Sequence, residues 1–379
     1  MKQILLLLLC GISGLHPMLA QYTAVPDPNF EAYLEDNGMG DGIPGNGLVL
    51  TANIENVTTL LLQGNMEISD LTGIEDFAAL ETFYCAYNPV TEVDLSQNLN
   101  LTHTGFILSD LSSLDLSHNT KLEYIAGMEN QSLTTVILNS PNLTEIEFIE
   151  NGITHIDISN CPALERLELS QSLNLTALDI ANNSNLKVLG VAFNNLNELN
   201  TSNNPLLEEL YVGNNENLTS LDVSQNPLLV TLFADSNPSL TFIDVRNGSN
   251  ESITSFSAKP AANLQCVYVD DTSAVYLDDW IIPESAQFAH NEEECRPLSV
   301  TGFEKLEFAV YPNPATENIT LSSNGNGFYR VYSILGKELD SGEINKGNQV
   351  ISLSNLNSGI YFIEWQTDDV KEVKRIVKQ

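Results

Sequence analysis

Between Val57 and Val245, leucine returns on a fixed beat. Leu80, Leu101, Leu122, Leu143, Leu164, Leu186, Leu207 and Leu229 stand 21 or 22 residues apart. The unit opening at Leu207 reads LEELYVGNNENLTSLDVSQNPL, and that at Leu164 reads LERLELSQSLNLTALDIANNSN. A constant interval of about 20 to 30 residues is the mark of a solenoid, in which each coil stacks on copies of itself. One coil cannot bury its own leucines, so neighbours must cover both faces and the terminal coils need caps.

Each unit can be read position by position. The first half follows L-x-x-L-x-L-x-x-N, and in an extended strand alternate side chains face opposite ways. Leu207, Leu210 and Val212 therefore point inward, as do Leu164, Leu167 and Leu169, while the third, fifth and seventh positions point out. Asparagine recurs at the ninth position as Asn65, Asn88, Asn130, Asn151, Asn194, Asn215 and Asn237, with Ser109 and Ser172 in two further units. A polar side chain at an inward-turning corner satisfies backbone groups that the turn leaves unpaired. The second half carries a strand-like phrase of its own: LDLS at 114, IDIS at 156, LDIA at 178, LDVS at 221 and IDVR at 243. Its recurring aspartates, Asp94, Asp115, Asp157, Asp179, Asp222 and Asp244, read as turn or edge residues.

These two halves together resemble leucine-rich repeats, and in particular the short repeats of bacterial internalin-like proteins such as internalin J. The resemblance implies a leucine-rich repeat solenoid of parallel β coils with few helices, spanning roughly residues 53 to 265. Cys85 occupies that family's inward cysteine position, but later units place Phe106, Phe148, Leu169, Val191 and Val212 there, so no cysteine ladder is expected. The stretch ISDLTGIEDFAAL (68–80) resembles the linker that opens such arrays. The resemblance also assigns the first-half strands to the concave face.

The ends read differently. MKQILLLLLCGISGLHPMLAQ has one lysine, an apolar run and a small residue at Ala20, which marks residues 1–20 as a secretory signal peptide. Residues 21–56 are expected to cap the first coil. In DPNFEAYLED, Asp27 can cap a helix, Pro28 suits its first turn, and Phe30, Tyr33 and Leu34 share a face. The repeats occupy 57–250, and a C-terminal cap occupies 251–297. Cys266 and Cys295 flank that cap, and in an exported chain they are expected to form a disulfide. Cys85 and Cys161 lie three coils apart, about 14 Å at the usual strand spacing, too far to bridge.

After a linker at 298–306 the beat is gone. Residues 307–379 show short alternating segments, LEFAVYP, NITLSS, FYRVYSI, QVISLSNL, GIYFIEWQT and VKRIVKQ, separated by turn signals. They predict a small C-terminal β-sandwich. Its landmarks are Tyr311-Pro312-Asn313-Pro314, Gly336-Lys337, Gly359-x-Tyr361 and the terminal run from Lys374 to Lys378. In order and position these resemble the type A C-terminal sorting domain of the Bacteroidetes type IX secretion system. The resemblance implies delivery across the outer membrane by that machinery, to the cell surface or the exterior.

Charge separates the two parts. Residues 22–297 hold 40 acidic and 6 basic residues, whereas 298–379 hold 10 and 8. An array so acidic does not draw nucleic acid or anionic lipid by bulk attraction. No 18-residue apolar run follows the signal. The histidines lack H-x-x-x-H and H-E-x-x-H spacing, and no G-x-S-x-G, phosphate loop or paired CxxC occurs. No cofactor, metal or catalytic residue is expected. The expected role is protein binding or adhesion through Tyr84, Tyr124, Glu147, Glu168, Tyr211 and Phe233, with a protein or glycan as ligand. The alternatives are a calcium- or glycan-binding surface protein and an accessory to a secreted hydrolase.

Overall fold

The computed structural model describes residues 21–295, 308–367 and 371–379, so the signal-peptide and linker readings lie outside the described residues. The chain divides into two compact units after Cys295.

In the first unit, ten strands from Thr59–Gln63 to Ser255–Ser257 stack in parallel, in chain order, into one sheet. Because each coil contributes one strand in constant register, equivalent side chains fall in rows. One inward row runs Leu60, Phe83, Thr104, Ile125, Ile146, Leu167, Leu189, Leu210, Leu232 and Phe256. None of these is more than 3% exposed. Each buried aliphatic or aromatic side chain contributes roughly 1.5–3 kcal/mol, which is how three-residue strands without hairpins stay ordered. The neighbouring inward row passes through Cys85, Phe106, Gly127 and Phe148. A Cβ on Gly127 would lie 2.3 Å from the Phe148 ring, so the large side chain of one coil occupies the space that the glycine leaves in the coil before.

Cys85 and Cys161 are free and buried. Desolvation pushes the Cys85 thiol up to about 12, against a smaller lowering by Asn88, and burial raises that of Cys161. Thiolate is the reactive form. The native protein is therefore expected to resist iodoacetamide at about pH 8, both thiols becoming alkylated only in denaturant. Mass spectrometry of the two samples checks this, and alkylation of Cys85 in the native protein would contradict its burial.

The second halves form strands only in places. Ser113–Leu116 pairs with Thr135–Leu138, and Ser220–Asp222, Phe242–Asp244, Cys266–Tyr268 and Gln287–Ala289 make a parallel four-stranded sheet. Parallel stacking thus runs on past residue 250, where the sequence beat fades. The recurring aspartates close turns: Oδ1 of Asp94, Asp115, Asp157, Asp179 and Asp222 each accepts from the N–H two residues on, at 2.9–3.0 Å. Bonds from the backbone and hydroxyl of the following serine hold the carboxyls of Asp94, Asp115 and Asp157 below the usual range.

Two polar ladders stitch the corners. The first comprises Asn88, Ser109, Asn130, Asn151, Ser172, Asn194, Asn215 and Asn237, all 6% exposed or less. Each follows a non-glycine residue in left-handed conformation, from Tyr87 to Ser236, with φ between 49° and 62°. That turn interrupts strand pairing, and the rung takes up the freed groups. Asn215 Nδ2 donates to the carbonyls of Val191 and Val212 at 3.0 Å, and its Oδ1 accepts from Leu196 N–H at 3.0 Å. Asn65 is exposed and lies outside this ladder, contrary to its place in the repeat pattern. The first coil turns at Gly64 (φ +101°) and Glu67 (φ 58°), and Asn88 Oδ1 accepts the Met66 and Ile68 N–H groups instead. A second ladder, absent from the sequence reading, holds the far corner: Asn98, Asn119, Ser140, Cys161, Asn183, Asn204, Asn226 and Asn247. Asn204 Nδ2, for example, donates to Ile180 and Asn183 carbonyls at 3.1 and 2.8 Å.

At the N-terminal end, helix Pro28–Asp36 lays Phe30 and Leu34 over the first coil. Asp27 Oδ1 caps it by accepting from Asn29 and Phe30 N–H, while Oδ2 accepts from Ser69 and Asp70. Burial opposes ionisation of Asp27, but these donors outweigh it and hold its carboxyl below the usual range. At the other end Trp280 stacks on Phe256 with ring centres 4.3 Å apart and donates to the Ile253 carbonyl. Cys266 and Cys295 are bridged, which ties helix Glu292–Cys295 across the outer side of the four-stranded sheet.

The second unit is a small sandwich. Strands Phe308–Tyr311, Asn318–Ser323 and Gly347–Ser352 form one antiparallel sheet, and Glu338–Ile344, Gly327–Ser333, Gly359–Gln366 and Lys371–Lys378 form the other. Trp365, fully buried, stacks on Phe308 at 5.4 Å, with Ile319, Leu321, Val331, Ile363 and Ile376 around it.

Candidate functional site

The solvent side of the ten-stranded sheet is one continuous row-and-column array of side chains. Tyr84, Tyr124, Glu147, Glu168, Tyr211 and Phe233 all lie on it, but only Phe233, 37% exposed, stands well clear of the surface. The others are half-buried because they lie down on their neighbours. Gly105 stands opposite Tyr84 in register, and the tyrosine ring occupies the space a Cβ there would need. The Glu168 carboxylate likewise lies over Gly190.

Two groups emerge. In the central one, the Tyr124 hydroxyl donates to Glu147 Oε2 at 2.7 Å, and Arg166 Nε lies 3.4 Å from Glu145 and 3.8 Å from Glu147. Burial first, then the Glu147 charge, raises the Glu145 carboxyl, while Arg166 offsets part of this. Burial and Glu147 also raise the Tyr124 and Tyr84 hydroxyls, so both remain neutral donors at ordinary pH. In the second group the Tyr211 and Phe233 rings sit 5.7 Å apart, and the Tyr211 hydroxyl donates to Glu209 at 2.7 Å. Four of the six side chains thus pair in two clusters rather than forming one ladder, while Tyr84 and Glu168 lie over Gly105 and Gly190. Among the described residues no group of three or more His, Cys, Asp or Glu side chains is placed to hold a metal ion.

The landmarks of the tail are spread over its elements. Asn313 mimics a strand residue: its Nδ2 donates to the Arg375 carbonyl at 2.7 Å and its Oδ1 accepts from Val377 N–H at 2.9 Å. Ala315, beyond Pro314, continues the pairing with Val377 and Gln379, so the Tyr311-Pro312-Asn313-Pro314 segment closes the edge beside the last strand. Lys378 Nζ donates to the Leu353 and Leu356 carbonyls at 2.7 Å. Gly336 turns a hairpin at φ +76°, and the Tyr361 hydroxyl donates to the Asn357 carbonyl at 2.8 Å. Gly359 pairs with Lys378 across the last two strands, and Lys374 pairs with Glu372 at 3.1 Å.

Residues 309–379 match the family described as secretion system C-terminal sorting domain. The chain is an exported leucine-rich repeat protein with a sorting tail. Within its repeats, residues 93–224 match the leucine-rich repeats of an FBD-associated F-box protein. No curated protein matches the chain. Among solved structures, the functional domain of InlJ from Listeria monocytogenes, which includes a cysteine ladder, is 17% identical. The match covers 95% of this chain and 99% of that one, with a TM-score of 0.28. Internalin C2 of the same organism is 19% identical over 52% of this chain and 90% of that one, with a TM-score of 0.41. InlF from that organism is 17% identical over 71% and 97%, with a TM-score of 0.33. Among the described residues of this leucine-rich repeat protein, no helix is long and apolar enough to cross a membrane.

Some of what shapes the face was invisible in the repeat pattern. Gly105 and Gly190 are the seats on which Tyr84 and Glu168 lie. Arg166 is the cation that bridges two carboxylates. The signal for both was available only by aligning each coil with the next.

Proposed function

We propose that this exported protein binds a protein or glycan partner, without catalysis, through the solvent side of its ten-stranded sheet. The observation that carries the reading is the placement of aromatic and acidic side chains on consecutive, register-locked strands. Such a surface offers aromatic anchors with little freedom left to lose on binding. On this reading 21–56 and 251–297 close the ends, 57–250 carries the face, and 307–379 engages the type IX secretion machinery after a signal at 1–20.

The test begins with capture of partners from host and neighbouring-cell extracts on the immobilised chain. Affinity of the captured partner is then compared for the native protein and a Tyr211→Ala, Phe233→Ala double variant. Interface anchors of this type are each worth about 2 kcal/mol, so a weakening well beyond tenfold is expected. The melting temperature should move little, because both rings lie outside the core. A stable double variant that binds normally would remove the site from this face.

A further inference from the structure

Leu173 and Phe193 are left 61% and 48% exposed on adjacent coils. Both stand at the strand-exit corner, beyond the sheet face, in left-handed conformation with φ of 55° and 56°. With Pro238, Pro260 and Glu216 they line an open groove of about 630 Å³. The groove crosses five coils, from that of Leu173 to that of Pro260. At about 4.8 Å per coil its ends lie about 19 Å apart, the span of about six extended residues.

The first polar ladder is broken beneath this groove. Oδ1 of Asn215 and of Asn237 each accepts a backbone N–H. Oδ1 of Asn194, which lines the groove and is only 3% exposed, has no partner, nor has the buried hydroxyl of Ser172 on the coil before. The coil that opens at Leu164 has a second left-handed residue, Leu173 after Gln171. The groove thus joins exposed apolar walls to an acceptor set just below them. The charged residue of its lining is Glu216, exposed and in no ion pair among the described residues, in a segment holding 40 acidic and 6 basic residues.

We propose that the groove binds an extended, basic segment of a partner polypeptide. An apolar side chain of that segment sits between Leu173 and Phe193, and a lysine or arginine lies beside Glu216. Charge complementarity selects the sign of the partner, the length selects an extended chain, and the apolar walls select its anchor. The inference is independent of the sheet-face reading, because none of these residues lies on that face.

The test is fluorescence anisotropy of the full chain with a labelled Lys-Leu-Lys-Val-Lys-Leu peptide and its counterpart carrying Glu for Lys. Saturable binding of the basic peptide alone is expected. It should weaken at least fivefold in Phe193→Asn, which tolerates left-handed backbone, and in Glu216→Gln, but not in Glu251→Gln. Should Phe193→Asn lower the melting temperature, Glu216→Gln decides. Four results would each overturn the proposal: no saturable binding, equal binding of the acidic peptide, loss in Tyr211→Ala with the groove variants unaffected, or equal weakening by the remote Glu251→Gln.

Discussion

A chain cut after Glu304 is expected to keep a folded solenoid and to lose surface delivery outright. The solenoid and the sandwich each bury a hydrophobic cluster of their own, one from Val25 to Trp280 and the other from Phe308 to Ile376. Residues 309–379 match the sorting family, so the cut removes the address and leaves the solenoid core complete. Fractionation of the producing cell, with protease added outside, distinguishes the outcomes. Protein protected within the envelope, with an unchanged unfolding transition after purification, is the expected result. Normal delivery of the shortened chain would take the sorting role away from the tail.

The second large effect concerns stability. Leu210→Ala is expected to cost about 2–5 kcal/mol, since its side chain is fully buried between Leu189 and Leu232 and the coils cannot collapse independently around the cavity. Asn215→Ala should cost less, about 1–3 kcal/mol, for a different reason. It leaves the buried Leu196 N–H without its partner, while the Val191 and Val212 carbonyls lose one of two donors and keep Asn194 and Asn237. Tyr211, between these two positions but on the outer face, should tolerate alanine with a small loss. Urea unfolding of the three variants tests this order. A silent Leu210→Ala beside a crippling Tyr211→Ala would mean that the strand register is off by one residue.

Most of what repeats is legible in the residues alone. In a solenoid the neighbour of each residue is its own equivalent one coil on, so a row of leucines spaced 21 or 22 residues apart is at once a pattern and a list of contacts. The coil stacking, the inward rows, the outward face and the asparagine corner from Asn88 to Asn237 follow from that symmetry, and the loss of the beat marks the separate sandwich. Packing alone settles what breaks the symmetry, what depends on two unlike coils at once, and which asparagines of the polar loops turn inward. Asn65 leaves its ladder because the first coil turns at Gly64. Phe148 fits only because Gly127 precedes it by one coil, and Tyr84 lies flat only because Gly105 follows it. The second ladder stayed hidden because its asparagines fall among others in polar loops, where only packing separates the 0% exposed Asn204 from the exposed Asn203 beside it. The groove at Leu173 and Phe193 is lined from five coils of unlike sequence, which only stacking brings side by side.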